Sequence, residues 1–200
     1  MRGGPSNNRN QAEWRNGSMS QLIWLTGLSG SGKSTLAKVL RLFFENCYIL
    51  DGDILRRGIN QDLQFSEEDR LEVGRRIGEI GKILLDANFN VIVASISPYR
   101  STRDKVRSLI GEAYMEVYVQ CPLEVCEERD PNGLYKQARS GQIQHFTGFD
   151  SPYEEPVQPD VIVETDKLSL DECVSKIIQY QSSVRIREYS NHKMKVCNLD

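Results

Sequence analysis

The sequence predicts an α/β fold of three layers, built on a mainly parallel five-stranded sheet with a mobile lid. Short apolar runs alternate with segments of helical period, as strands connected by crossover helices do. The first apolar run ends in a glycine-rich turn that leads straight into a helical segment. A glycine- and proline-rich stretch over about residues 130–156 then interrupts the alternation, and a connection that long inside a domain is usually a lid or binding loop.

The elements follow in order. Leu22–Thr26 (LIWLT) reads as a buried strand, and the residues from Lys33 to about Glu45 suit a helix. Tyr48–Leu50 is a second short strand, closed by Asp51-Gly52-Asp53. Ser66 with Asp69 three residues later is an N-cap pattern opening a helix to about Asp86, whose buried face is Val73, Ile77, Ile80 and Leu84. Asn90–Ser97 is a third strand, Thr102–Ile110 a helix, and Met115–Cys121 a fourth strand before a helix to about Arg129. After the interruption Val161–Glu164 is the fifth strand. Ser169 and Glu172 form a capping box on a helix that buries Leu170, Cys173, Val174, Ile177 and Ile178. Past Gln181 the pattern fades into a mixed-charge tail carrying Arg185, Arg187, Lys193 and Lys195. The expected organisation is a leader over 1–19, a catalytic domain over 20–180 and a tail over 181–200.

Composition narrows the function. Twenty-five Lys+Arg against 28 Asp+Glu give a net charge of −3, which does not suit a nucleic-acid binder. Five cysteines, an odd number with no C-x-x-C, argue against a disulfide framework. Cys121 and Cys126 read as core packing. Two histidines, His145 and His192, make a Cys/His zinc site improbable. No apolar stretch nears the roughly 20 residues needed to cross a bilayer, so the expectation is a cytoplasmic protein that binds no membrane.

The strongest chemical signal is Gly27-Leu28-Ser29-Gly30-Ser31-Gly32-Lys33-Ser34, followed by Thr35, which matches G-x-x-x-x-G-K-[ST]. Its glycines let backbone N–H groups curl around phosphates at a helix N-terminus. Lys33 reaches the β/γ-phosphates and Ser34 offers an oxygen to Mg²⁺. With a strand before and a helix after, this predicts a P-loop NTPase fold that binds ATP. No acid ends the Val91–Ser97 run, where switch GTPases and motor ATPases usually place one. Asp51 and Asp53 instead follow the second strand, at the sheet edge where ligands bind in such folds. One can serve Mg²⁺ and the other can accept a proton from an attacking hydroxyl, although Asp-Gly is also a common plain turn. Arg56, Arg57, Arg70, Arg75 and Arg76 follow these acids, as cations for an anionic acceptor or as a solvated helix coat. Phe65 and Phe146 stand in polar loops, suited to stacking a base or to plugging the surface. Arg129, Lys136 and Arg139 suit a lid that closes over polyphosphate.

GLSGSGKST, LDGD, Arg56 with Gly58, Phe65, Asp69-Arg70, Arg75-Arg76, ISPY (Ile96–Tyr99), CEERDP (Cys126–Pro131), GLYKQAR (Gly133–Arg139) and FTGFDSPYEEP (Phe146–Pro156) occur in order. Over about residues 20–180 the chain resembles the adenylyl sulfate (APS) kinases. The resemblance implies transfer of the ATP γ-phosphate to the 3′-hydroxyl of APS, giving PAPS in sulfate activation. It also implies Mg²⁺, a homodimer and a mobile lid. On it, Phe65 and Phe146 sandwich the acceptor base, Arg56 and Arg70 contact its phosphosulfate, and Ile96, Ser97, Pro98 and Lys136 line its site. Ser34, Asp51 and Asp53 manage the metal and the attacking hydroxyl, while Arg129 and Thr165-Asp166 lie near the ATP base. Ser97 matches a serine described in the family as a phosphoserine intermediate; because in-line transfer needs none, it is read here as an acceptor contact.

The chain also departs from the family pattern. Ile54 and Val73 stand where asparagine is usual, Asn132 and Gln144 where lysine is usual, and Phe149 where isoleucine is usual. Lost polar groups near an acceptor change discrimination. A related kinase acting on the 3′-hydroxyl of another nucleotide, such as a cytidine diphosphoramidate, and a catalytically silent nucleotide-binding module are the alternatives.

Overall fold

The computed structural model describes residues 20–197. The expected leader over 1–19, and the tail side chains from Arg185 onward, lie outside the described residues. Five strands, β1 (Leu22–Thr26), β2 (Cys47–Asp51), β3 (Asn90–Ala94), β4 (Tyr114–Gln120) and β5 (Val161–Glu164), form one sheet in the order β2-β3-β1-β4-β5. Every pairing is parallel, beginning with Leu22 beside Val91 and beside Tyr114. The crossover that leaves β3 runs to β4 in one direction, and the crossover that leaves its neighbour, the central strand β1, runs to β2 in the other. The crevice beyond their carboxyl ends is therefore the topological switch point.

The apolar runs are continuous because both faces are covered. Ile23 and Leu25 point into one core with α1 (Lys33–Leu40) and α7 (Leu170–Cys197), through Leu36, Leu40, Val174 and Ile177. Leu22 and Trp24 point into the other with α3 (Glu67–Asp86) and α4 (Arg100–Ile110), through Ile77 and Val106. A Cβ on Gly74 would fall 2.0 Å from Thr102 Cγ2 and one on Gly81 would fall 2.5 Å from Leu22 Cδ1. Those glycines let α3 sit close to both neighbours, which offsets their cost inside a 20-residue helix.

Both predicted caps form. Ser66 Oγ accepts from the Asp69 N–H at 3.1 Å, and Ser169 and Glu172 bond reciprocally. Several boundaries differ from the sequence reading. α1 ends at Leu40 and tightens into a 3₁₀ turn over Arg41–Phe43. β3 stops at Ala94, because residues 95–98 leave the ladder to line the crevice. The Asp-Gly-Asp turn is the start of a short helix, α2 (Gly52–Leu55), with Asp51 as its N-cap. After α5 (Leu123–Arg129), the interrupted stretch is not all loop: it holds a helix, α6 (Leu134–Arg139). Tyr135, Ala138 and Phe146 pack there with Cys121 and Cys126 as a small separate core. α7 continues to Cys197 where the pattern faded near Gln181, because apolar periodicity reports burial rather than helicity. Among the described residues no helix is long and apolar enough to cross a membrane.

Candidate active site

The turn between β1 and α1 depends on glycine. Gly27 has φ +152°, and a Cβ there would stand 2.4 Å from the Val119 carbonyl oxygen. Gly30 has φ +77°, and its Cβ would stand 2.6 Å from the Cys126 carbonyl oxygen. Lys33 folds back into the loop, donating to Gly27 O at 2.9 Å and Leu28 O at 2.6 Å. Burial lowers its pKa to about 8, offset in part by Cys126 and the carboxylates of Asp53 and Asp51. An ammonium held on two carbonyls in a dry loop is ready to exchange them for phosphate oxygens.

Ser34 Oγ donates to Asp51 Oδ2 at 2.7 Å, while Asp51 Oδ1 accepts from the Asp53 N–H at 2.9 Å. The cap fixes the Asp51 side chain, and the first turn of α2 sets Asp53 beside it. Two hard oxygen donors on adjoining elements suit Mg²⁺, which takes few protein ligands and completes its shell with phosphates and water.

A cavity of about 990 Å³ begins at these groups and runs in two directions. Toward α7 it meets Thr35, Thr165, Leu168 and Cys173. Arg129 Nη2 donates to Thr165 O at 2.7 Å, and Thr165 Oγ1 donates to Ser31 O at 2.9 Å, so this pair is fastened to the glycine loop. Toward α3 the cavity meets Arg56, Phe65, Arg70, Val73, Phe146 and the segment from Ile96 to Pro98. The guanidiniums of Arg56 and Arg70 lie 4.4 and 5.4 Å from the Phe65 ring centroid. Neither forms an ion pair among the described residues; burial and then the neighbouring Arg56 charge lower the Arg70 pKa to about 10. Two cations without a carboxylate beside an aromatic ring form a receptor for an anion carrying a base.

Most of the sequence-predicted site converges here, and some of it does not. Arg70 is committed to carbonyls, donating to Phe65 O at 3.0 Å and His145 O at 2.6 Å. Phe146 is 3% exposed and meets Tyr135 edge-on, with centroids 4.9 Å apart, so it is as much a core residue as a stacking surface. Lys136 is exposed on α6 and does not line the cavity, because Asp130 draws the start of that helix toward itself through the Tyr135 and Lys136 N–H groups. Arg75 and Arg76 pair with Glu72, and Arg76 with Asp62, as a surface coat. Arg139 pairs with Glu127 rather than the crevice. Gly27, Leu28 and Ser31 form the inner side of the loop, while Leu28 and Asp166 line a second cavity of about 720 Å³. Of the departures from the family pattern, Val73 and Asn132 line the main cavity, whereas Ile54, 67% exposed, and Gln144 do not.

Ser97 has φ +45°, a left-handed conformation that costs a non-glycine residue about 1–3 kcal/mol. Its Oγ is buried without a partner and the residue lines the cavity. Burial raises the thiols of Cys47 and Cys126 to about 11 and about 12, as inert packing cysteines. The sequence reading missed Thr26, Arg103 and Tyr153, which lie behind the cavity and fasten its walls. Thr26 and Arg103 were marked only by membership in an apolar and a charged run, and Tyr153 only by its place in the FTGFDSPYEEP segment.

Comparison with known proteins agrees with this geometry. The family model described as adenylylsulphate kinase matches residues 19–164. A probable adenylyl-sulfate kinase of Halalkalibacterium halodurans is 54% identical over 177 residues, covering 86% of this chain and 88% of the relative. An adenylyl-sulfate kinase of Geotalea uraniireducens is 53% identical over 171 residues, covering 83% and 82%. The Mycobacterium tuberculosis APS kinase, solved with AMPPNP and APS, superposes with a TM-score of 0.78 at 42% identity. That match covers 82% of this chain and 98% of that one.

Proposed function

The chain belongs to the adenylylsulphate kinase family, and on that premise we propose that it transfers the γ-phosphate of ATP to the 3′-hydroxyl of adenylyl sulfate, giving PAPS. The observation that carries this reading is the continuity of one cavity. It joins a phosphate loop with Lys33 and Ser34 to an anion receptor of Arg56, Arg70 and Phe65, with Asp53 between them.

In this mechanism the triphosphate lies on the N–H groups of the 27–34 loop, and Lys33 exchanges the Gly27 and Leu28 carbonyls for β/γ oxygens. Arg129 and Thr165 receive the ATP base. Phe65 and Phe146 flank the acceptor base, and Arg56 and Arg70 hold its phosphosulfate. Asp53 accepts the proton of the attacking hydroxyl, and Ser97 contacts the acceptor. Ser34 and Asp51 would hold Mg²⁺, which when bound would neutralise charge on the phosphates. Catalysis is then mostly alignment of two anions and exclusion of water by the lid, which suits a transfer with little covalent demand on the protein.

The catalytic unit is assigned to residues 20–180, with the moving part of the lid inside 130–156. The protein is also assigned to the cytoplasm and to a homodimer. Support for self-association is the exposure of Leu42 and Phe43 just before edge strand β2 and of Tyr48 within it. Purified protein with ATP and Mg²⁺ should phosphorylate adenylyl sulfate in a panel that includes a cytidine diphosphoramidate. Turnover of the cytidine compound alone would overturn the acceptor assignment. Absence of phosphoryl transfer to any nucleotide would overturn the enzymatic one.

A further inference from the structure

Three consecutive carbonyls in the loop after β3 are held by three different elements. Ile96 O accepts from Thr26 Oγ1 at the end of β1, at 2.7 Å. Ser97 O accepts from Arg103 Nη1 on α4, at 2.6 Å. Pro98 O accepts from the Glu154 N–H at 2.9 Å, near the far end of the interrupted stretch. Between them sits the left-handed Ser97, which lines the cavity and whose buried hydroxyl has no partner.

Arg103 reaches further than Ser97. Its Nη2 donates to Glu154 O at 2.6 Å, and its Nε lies 2.8 Å from Glu116 Oε1 on β4. The Arg103 side chain is 2% exposed, so water competes for none of these contacts. Tyr153 adds a second link: its hydroxyl lies 2.9 Å from Thr26 Oγ1 and its ring 5.9 Å from the Arg103 guanidinium. A planar fork can hold two carbonyls and a carboxylate at fixed angles; a lysine ammonium cannot reach all three. None of these bonds involves the 27–34 loop.

We propose that Arg103 is a positioning residue for the phosphoryl acceptor: it holds Ser97 left-handed in the cavity wall and couples that conformation to the seating of residues 153–155. The inference rests on the proposed transfer to a nucleotide hydroxyl and adds a specific dependence to it. Without the fork, the Ser97 carbonyl is free to rotate and the residue relaxes from its strained φ, withdrawing a contact from the acceptor but not from ATP.

The test compares Arg103→Lys, Arg103→Met and Tyr153→Phe with wild type, by steady-state kinetics in the acceptor, equilibrium binding of AMPPNP and thermal melting. Acceptor kcat/KM should fall threefold or more in Arg103→Lys and further in Arg103→Met, with AMPPNP affinity held within twofold. Tyr153→Phe should move the same parameter in the same direction. If Arg103→Met does not fold, the lysine and phenylalanine variants carry the measurement. A smaller fall in folded Arg103→Lys, or a parallel loss of AMPPNP affinity, would overturn the inference. The ratios are taken with whichever nucleotide wild type phosphorylates, so failure of the adenylyl sulfate assignment shows in wild type and failure of this inference shows in the ratios.

Discussion

Lys33 makes nucleotide affinity depend on pH in a range where most lysines do not titrate. Burial brings its pKa from an ordinary 10.5 to about 8 in the nucleotide-free chain. The free protein then carries the Lys33 proton in about 90% of molecules at pH 7 and about 10% at pH 9. Triphosphate oxygens favour the charged form, so binding at pH 9 takes up a proton. AMPPNP affinity should fall about tenfold between pH 7 and 9. Calorimetric titration in buffers of different ionisation enthalpy reads both the affinity and the proton uptake. Lys33→Arg stays charged and should show a flat profile at weaker affinity. The same group affects stability with a defined sign. Between about pH 8 and 10.5 the unfolded chain binds more protons at this site than the folded one. Stability of the free protein should therefore rise with pH across that window, by up to about 3 kcal/mol from this group. Equal AMPPNP affinity at pH 7 and 9, with no buffer-dependent enthalpy, would refute the reasoning.

Asp51 has two separable roles, since it caps α2 and receives the Ser34 hydroxyl. Asp51→Asn retains a good cap and should lower kcat at least 100-fold with little change in Tm. Asp51→Ala should lose the same activity and about 1 kcal/mol more, or roughly 2–4 °C on melting. Phe65→Ala should raise the acceptor KM by about 5- to 150-fold, from a stacking contribution of about 1–3 kcal/mol, with AMPPNP affinity unchanged by direct titration. Gly27→Ala places a methyl 2.4 Å from a carbonyl of β4 and should abolish AMPPNP binding, whereas Gly58→Ala meets nothing within 4 Å and should bind normally.

The phosphate end of the site was legible because its chemistry is local. Nine consecutive residues, Gly27 to Thr35, contain the glycines, the lysine and the hydroxyl, and the flanking strand and helix follow from apolar runs of unmistakable period. Asp51 and Asp53 were legible for the same reason, though not as a helix cap, because a four-residue helix leaves no periodic trace. The lid was recognised as an interruption, but α6 inside it was not. It is six residues long and buries only Tyr135 and Ala138, against Cys126 and Phe146, too few positions to show a helical period.

The acceptor end shows a sharper limit. Arginines 56, 70, 75, 76, 103 and 139 are equivalent in composition, and all are charged at neutral pH. Arg75 and Arg76 turn out to coat a helix, Arg139 pairs with a neighbouring acid, and Arg56 flanks the receptor ring. Arg70 and Arg103 act differently again, each binding carbonyls on both sides of the lid's far end, at His145 and Glu154. Sequence distances of 75 and 51 residues separate those partners, so no local pattern could have marked them. The consequence is functional. The lid segment that carries Phe146 is anchored at both of its ends by arginines rooted in α3 and α4, and those helices also carry or adjoin the acceptor wall. Residues 145–154 are thereby tied to α3 and α4 by buried or part-buried arginines.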